Sequence, residues 1–144
     1  MKNKIIAVFI VLACLACKSD DGQTGDNPNL TIPLVNLNLN LNLPEYNSLK
    51  FPGNSLIITQ QGIRGIVIYN VNNDLYTAFD LSDPNHFPNE CSKMTVDGII
   101  ANCPCTNDTN EYNIVNGLHT GNENLFPMQQ YRAERTGDNL RVFN

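Results

Sequence analysis

Gly65-Ile66-Val67-Ile68-Tyr69-Asn70 and Leu75-Tyr76-Thr77-Ala78-Phe79-Asp80 are two runs of β-branched, aromatic and small residues separated by Asn72-Asn73-Asp74. Runs of five or six such residues bounded by turn formers are strand signals, and the polar triplet between them predicts a hairpin. Upstream, Ser55-Leu56-Ile57-Ile58-Thr59-Gln60 predicts another strand. Earlier still, Val35 to Leu43 alternates apolar and polar residues over nine positions, the period of a half-buried strand, with every apolar side chain on one side. Downstream, Met94-Thr95-Val96 and Ile99-Ile100-Ala101 flank Asp97-Gly98, and Gln130 to Arg135 and Asn139 to Phe143 flank Thr136-Gly137-Asp138. Both patterns predict tight hairpins. No segment carries a helical period over two turns. The expectation is an all-β domain, a small sandwich or partly open barrel.

The ends of the chain define its organisation. Lys2 and Lys4 precede the apolar run Ile5 to Ala13, which is too short to span a bilayer but long enough for the core of an export signal. Val11-Leu12-Ala13-Cys14 and Cys14-Leu15-Ala16-Cys17 both resemble the lipobox of bacterial lipoproteins. Cys17 is the preferred lipidation site, because Lys18-Ser19-Asp20-Asp21-Gly22 resembles the acidic tract that follows the lipidated cysteine in surface-displayed lipoproteins of the Bacteroidetes. Three segments follow from this: a signal peptide over 1–16, a flexible acidic tether over 17–29, and a folded domain over 30–144. Localisation at the outer membrane through lipid chains is the expectation. Removal of residues 1–16 takes two lysines and no acid, and it shifts the formal charge from −5 to −7. So acidic a surface is repelled by phosphate backbones and excludes nucleic acid as a natural partner. An envelope protein or ligand is the remaining class of partner, and nothing in the sequence specifies which.

A family resemblance covers residues 35 to 144 at the level of pattern. Gly65 to Asn70, Tyr76 to Asp80, Asp83-Pro84-Asn85, Cys103-Pro104-Cys105, Gly117 and Leu140-Arg141-Val142 resemble the successive landmarks of a Rieske iron-sulfur domain. The resemblance implies two loops at one end of the β domain, supplying Cys-x-His and Cys-x-x-His ligands to a [2Fe-2S] cluster. In that register Asp83 and Asn85 stand at the first ligand pair, and Cys103 and Thr106 at the second. Only Cys103 keeps its ligand type. His86 lies one residue past the first histidine position and is the available substitute. The resemblance therefore implies a family cofactor, [2Fe-2S], for which this chain's ligand set is incomplete. The expectation is a structural or binding module without the cluster and without catalysis. The alternative is an electron-transfer protein that holds [2Fe-2S] through altered ligands.

By the same resemblance Cys91 pairs with Cys105; pairing with Cys103 would close a loop of similar length and stays open. The remaining thiol is read as a small buried hydrophobe left over from a ligand set, the alternative being a redox-active sulfur or a metal ligand with His86 or His119. Asp80 and Asp83 are read as capping or solvated carboxylates near a turn, His119 as a solvated loop residue, and Tyr69, Tyr76, Phe79 and Tyr112 as packing residues.

Overall fold

A computed structural model describes residues 27–144. The signal peptide, Cys14, Cys17 and all of the tether before Asn27 lie outside the described residues. Ahead of residue 30, the Asn27 and Asn29 side-chain amides both donate to the Pro84 carbonyl, at 2.8 and 3.0 Å. The last residues assigned to the tether are thus fastened to one of the two site loops.

The domain is all-β. Its strands are β1 (Asn36–Asn40), β2 (Ser55–Ile58), β3 (Ile66–Asn70), β4 (Tyr76–Asp80), β5 (Thr95–Asp97), β6 (Ile100–Asn102), β7 (Glu111–Asn113), β8 (Gln130–Thr136) and β9 (Asn139–Phe143), with one 3₁₀ turn at Asn47–Lys50. A six-stranded antiparallel sheet has the order β1-β9-β8-β4-β3-β2, and a three-stranded sheet has the order β5-β6-β7. The larger sheet curls so far that its two edges meet. Just past β2, Gln61 accepts the Asn36 N–H at 2.8 Å and donates to the Asn36 carbonyl at 3.4 Å, so a side-chain amide takes the place of a ladder partner for β1. The architecture is the expected partly open barrel, and both site loops leave from the end where β4 meets the small sheet.

The central strands β3 and β4 are buried on both faces, which accounts for their nearly continuous apolar sequence. On one face Ile66, Ile68, Tyr76 and Ala78 join Val35, Leu39, Leu41, Leu49, Tyr131, Leu140 and Val142 inside the curl. On the other, Val67, Phe79 and Leu81 pack against Met94, Ala101, Tyr112, Ile114 and Met128. The Thr77 hydroxyl also donates to the Ile114 carbonyl at 2.7 Å across that second core. The four tyrosine and phenylalanine side chains named from the sequence all pack, Tyr69 only partly.

Three local expectations are corrected. The alternating stretch is strand only to Asn40. There the Asn40 side chain accepts the Asn42 N–H at 3.0 Å and turns the chain, leaving Leu41 buried but Leu43 42% exposed and out of the core. The hairpin loop in the small sheet is Gly98-Ile99, one residue later than Asp97-Gly98, because Asp97 pairs with Ile100. Gly98 has φ of 58° and Ile99 is not in the left-handed region, which is the type II′ arrangement with glycine leading. Finally, β7 is a strand that the expected set did not include. Three residues with a single buried side chain, Tyr112, give no period to detect.

Asp80 is completely buried and is no solvated cap. Its carboxylate accepts the N–H groups of Ile63 at 2.6 Å, Arg64 at 3.2 Å and Ser82 at 2.8 Å, and the Tyr131 hydroxyl at 2.9 Å. These donors come from the β2–β3 loop, the exit of β4, and β8. Between β4 and β8 only two residue pairs form the ladder, so the Asp80–Tyr131 bond supplements a short seam. Asp80→Ala leaves several buried donors without an acceptor and is expected to destabilise the fold by about 3 kcal/mol in urea unfolding. Tyr131→Phe, which removes one donor and keeps the ring, is expected to cost about 1–2 kcal/mol in the same measurement.

Candidate functional site

The two loops, 81–93 after β4 and 103–110 after β6, lie side by side and are joined by a disulfide between Cys91 and Cys105, with Cα atoms 5.1 Å apart. Cys103 remains a free, buried thiol. Of the positions named from the sequence, Asp83, His86 and Cys103 come together, whereas Thr106 is exposed and stands apart from them. Asn85 turns to the opposite task. Its side chain donates to the Tyr112 hydroxyl at 2.8 Å and to the Phe126 carbonyl at 2.9 Å, and it accepts the Phe126 N–H at 3.0 Å. It is a loop brace, not a ligand.

Asp83 is fully buried, so of the two expected roles it takes the capping one, accepting a backbone N–H two residues on, and not the solvated one. Its Oδ1 accepts the Asn85 N–H and the Tyr112 hydroxyl, both at 2.9 Å, and its Oδ2 accepts the Asn110 side-chain amide at 3.0 Å. Burial alone would raise the Asp83 carboxyl, but the Asn85 N–H together with the Asn110, Cys103 and Tyr112 donors holds it below the usual carboxylate range. The same burial, reinforced by the adjacent Asp83 carboxylate, pushes the Tyr112 hydroxyl up and keeps it a donor.

His86 completes the cluster. Its Nδ1 lies 3.0 Å from the Phe87 carbonyl, which can only accept, so the proton sits on Nδ1 and Nε2 turns inward. Nε2 is 3.4 Å from Cys103 Sγ, 3.6 Å from Asp83 Oδ2 and 3.3 Å from Asp108 Oδ2. Asp108 has its other oxygen occupied by the Asn110 N–H at 3.0 Å. Burial, followed by the negative charges of Asp83 and Asp108, pushes the Cys103 thiol up to about 12, with the Cys105 N–H acting against that rise. Asp108, Asn110 and Tyr112 were not legible as site residues. Asp108 and Asn110 stand in a polar loop, where an Asp or Asn carries no distinguishing pattern, and Tyr112 reads as a packing residue. His119 is also not the solvated residue expected: it packs edge-on against Tyr112, ring centroids 5.3 Å apart, and its Nδ1 accepts the Gly121 and Asn122 N–H groups at 3.0 Å.

These residues do not fit the terminal ligands of a [2Fe-2S] cluster, which are four thiolates or two thiolates and two imidazoles shared between two irons. The loops bring one free thiol and one imidazole to the site, the second sulfur being held in the disulfide. The other donors there are carboxylates.

No protein-family model and no curated protein matches the sequence. Among solved structures the chain is similar to the ferredoxin of Sphingomonas yanoikuyae B1, at 17% identity over 65% of this chain and 88% of that one, with a TM-score of 0.44. It is similar to the ferredoxin of carbazole 1,9a-dioxygenase from Nocardioides aromaticivorans IC177, at 11% identity over 65% and 86%, with a TM-score of 0.43. A third similar structure is a proposed NADH-dependent nitrite reductase small subunit from Mycobacterium tuberculosis, at 14% identity over 77% and 96%, with a TM-score of 0.46. Neither identity nor score carries the chemistry of those proteins over to this chain.

Two measurements follow from the loop geometry. Cys91→Ser opens a bridge across a sequence separation of 14 residues and is expected to lower stability by about 3 kcal/mol. In metal-free folded protein at pH 8, the Cys103 thiol is buried and almost wholly protonated, so peptide mapping after iodoacetamide treatment should find it labelled at least about tenfold more slowly than in urea.

Proposed function

We propose that this protein is an envelope lipoprotein, anchored at the outer membrane through Cys17, whose Rieske-like domain carries no [2Fe-2S] cluster and acts as a binding module. The observation that supports the reading best is the donor set at the loop tips: one thiol, one imidazole and two carboxylates, with Asn85 braced against Phe126 and Thr106 exposed. Two irons cannot both be supplied with thiolate or imidazole ligands from that set. Anchoring rests on the sequence pattern of residues 1–22 alone.

A binding role suits the way the loops are built. The disulfide and the buried Asp83–Tyr112 bond fix their tips without any cofactor, so a preformed surface is presented at no ordering cost.

Protein produced anaerobically with iron and sulfide supplied is expected to be colourless and to contain neither iron nor acid-labile sulfide. Two irons per chain with broad visible absorption would overturn the reading in favour of electron transfer. Independently, Cys17→Ser is expected to move the protein from the membrane fraction to the soluble fraction; retention in the membrane with Cys14 intact would assign the lipid to Cys14.

A further inference from the structure

We propose that Asp83, His86, Cys103 and Asp108 form a binding site for a single divalent transition-metal ion of the zinc type. The donor atoms all lie within 4.8 Å of one another. Tetrahedral zinc binds nitrogen and oxygen at about 2.0–2.2 Å and sulfur at about 2.3 Å, which makes the edges of its ligand tetrahedron roughly 3.3–3.7 Å. From His86 Nε2 the three measured edges are 3.4 Å to sulfur and 3.6 and 3.3 Å to the two carboxylates. Three of the six edges thus match those of one ion at the centre, and the other three lie within 4.8 Å.

Each donor is also held in place by a partner on its far side. The Phe87 carbonyl fixes the His86 ring with Nε2 inward, the arrangement that orients imidazole ligands in metal sites. Asp83 has Oδ1 occupied by the Asn85 N–H and the Tyr112 hydroxyl, and Asp108 has Oδ1 occupied by the Asn110 N–H. Each thereby turns Oδ2 toward His86, Asp83 Oδ2 also accepting the Asn110 side-chain amide at 3.0 Å. The backbone of both loops is constrained by the Cys91–Cys105 disulfide, which also withdraws Cys105 from ligation, although its sulfur is only 3.7 Å from Nε2.

Charge favours a dication as occupant. Two carboxylates converge on the Nε2 side of the imidazole, beside a thiol that loses its proton on ligation. Binding forms one Zn–S, one Zn–N and two Zn–O bonds, breaks the Cys103 S–H bond and releases that proton to solvent. One thiolate, one imidazole and two carboxylates suit Zn2+ or Co2+ over Mg2+ and Ca2+, which prefer all-oxygen shells. Asp83 closes the floor, while His86 and Asp108 are partly exposed and give an ion its approach from solvent.

The proposal takes the loops to be without a diiron cluster, as in the reading above, and the test separates the two. The full chain carrying Cys14→Ser and Cys17→Ser is stripped with a chelator and titrated with Zn2+ against a chromophoric competitor, and separately with Co2+. One ion per chain is expected, with a sulfur-to-cobalt charge-transfer band and the visible bands of tetrahedral Co2+. Cys103→Ser should abolish the charge-transfer band, and Asp108→Asn, a change at a partly exposed position, should weaken Zn2+ binding at least about tenfold with an unchanged circular dichroism spectrum. His119→Ala should leave binding unaltered. Absence of binding, or binding indifferent to both ligand changes, overturns the metal site and leaves the cluster-free reading standing. Two irons and two sulfides per chain would overturn that reading as well.

Discussion

The buried carboxylate of Asp80 is the constraint from which the rest of the domain follows. A charge taken out of water is tolerated only if its lone pairs are satisfied, and here donors from the β2–β3 loop, the β4 exit and β8 converge on it. That convergence fixes the conformation of the β2–β3 loop, where a side chain at Gly62 would bring its Cβ to 2.7 Å from Asp80 Oδ2. It also fixes the direction in which the chain leaves β4. Asp83, three residues on, is the first side chain of the site, so the anchor that helps close the barrel also aims the loop.

A second buried carboxylate then repeats the device on the other sheet. Asp83 reaches across the interface to Tyr112 on β7 and to Asn110 just before it. The small sheet packs on β4 through Phe79 and Tyr112, and Gly117 lies so close to Phe79 that a Cβ there would come within 2.4 Å of the ring. The two loops are thus held by apolar packing beneath, by a buried charged hydrogen-bond network between, and by a disulfide at the rim. Rigid loop tips are the outcome of three independent kinds of interaction, none of which involves a bound group.

Much of this was legible because strand period and turn chemistry are local. The hairpin of β3 and β4 is written in consecutive residues, and so are the pairs around Gly98 and Gly137. The ending of β1 was not, since Asn40 acts through a side-chain bond to a backbone group two residues away, which interrupts the alternation without changing it. The site was half legible. Asp83, His86 and Cys103 stand near positions marked by their neighbours, but Asp108, two residues past exposed Thr106, is brought in by the fold. Burial of Asp80 and Asp83 was also out of reach, because the same residue type at a turn is solvated unless distant donors such as Tyr131 and Tyr112 arrive to meet it.

The choice of disulfide decides the chemistry left to the loops. With Cys91 joined to Cys105, both of those sulfurs are withdrawn, and the one thiol that remains is the deeper one, facing His86 and two carboxylates. Had Cys103 been taken into the bridge, the free thiol would have been the less buried Cys105, whose sulfur lies 3.7 Å from His86 Nε2. The observed pairing leaves a mixed sulfur, nitrogen and oxygen set whose members are too few in soft ligands for two metals and close enough together for one. Spacing of the loops is set by the strands that carry them, whereas the donor set is fixed by which cysteine the bridge consumes and by which carboxylates the fold delivers beside the one it spares.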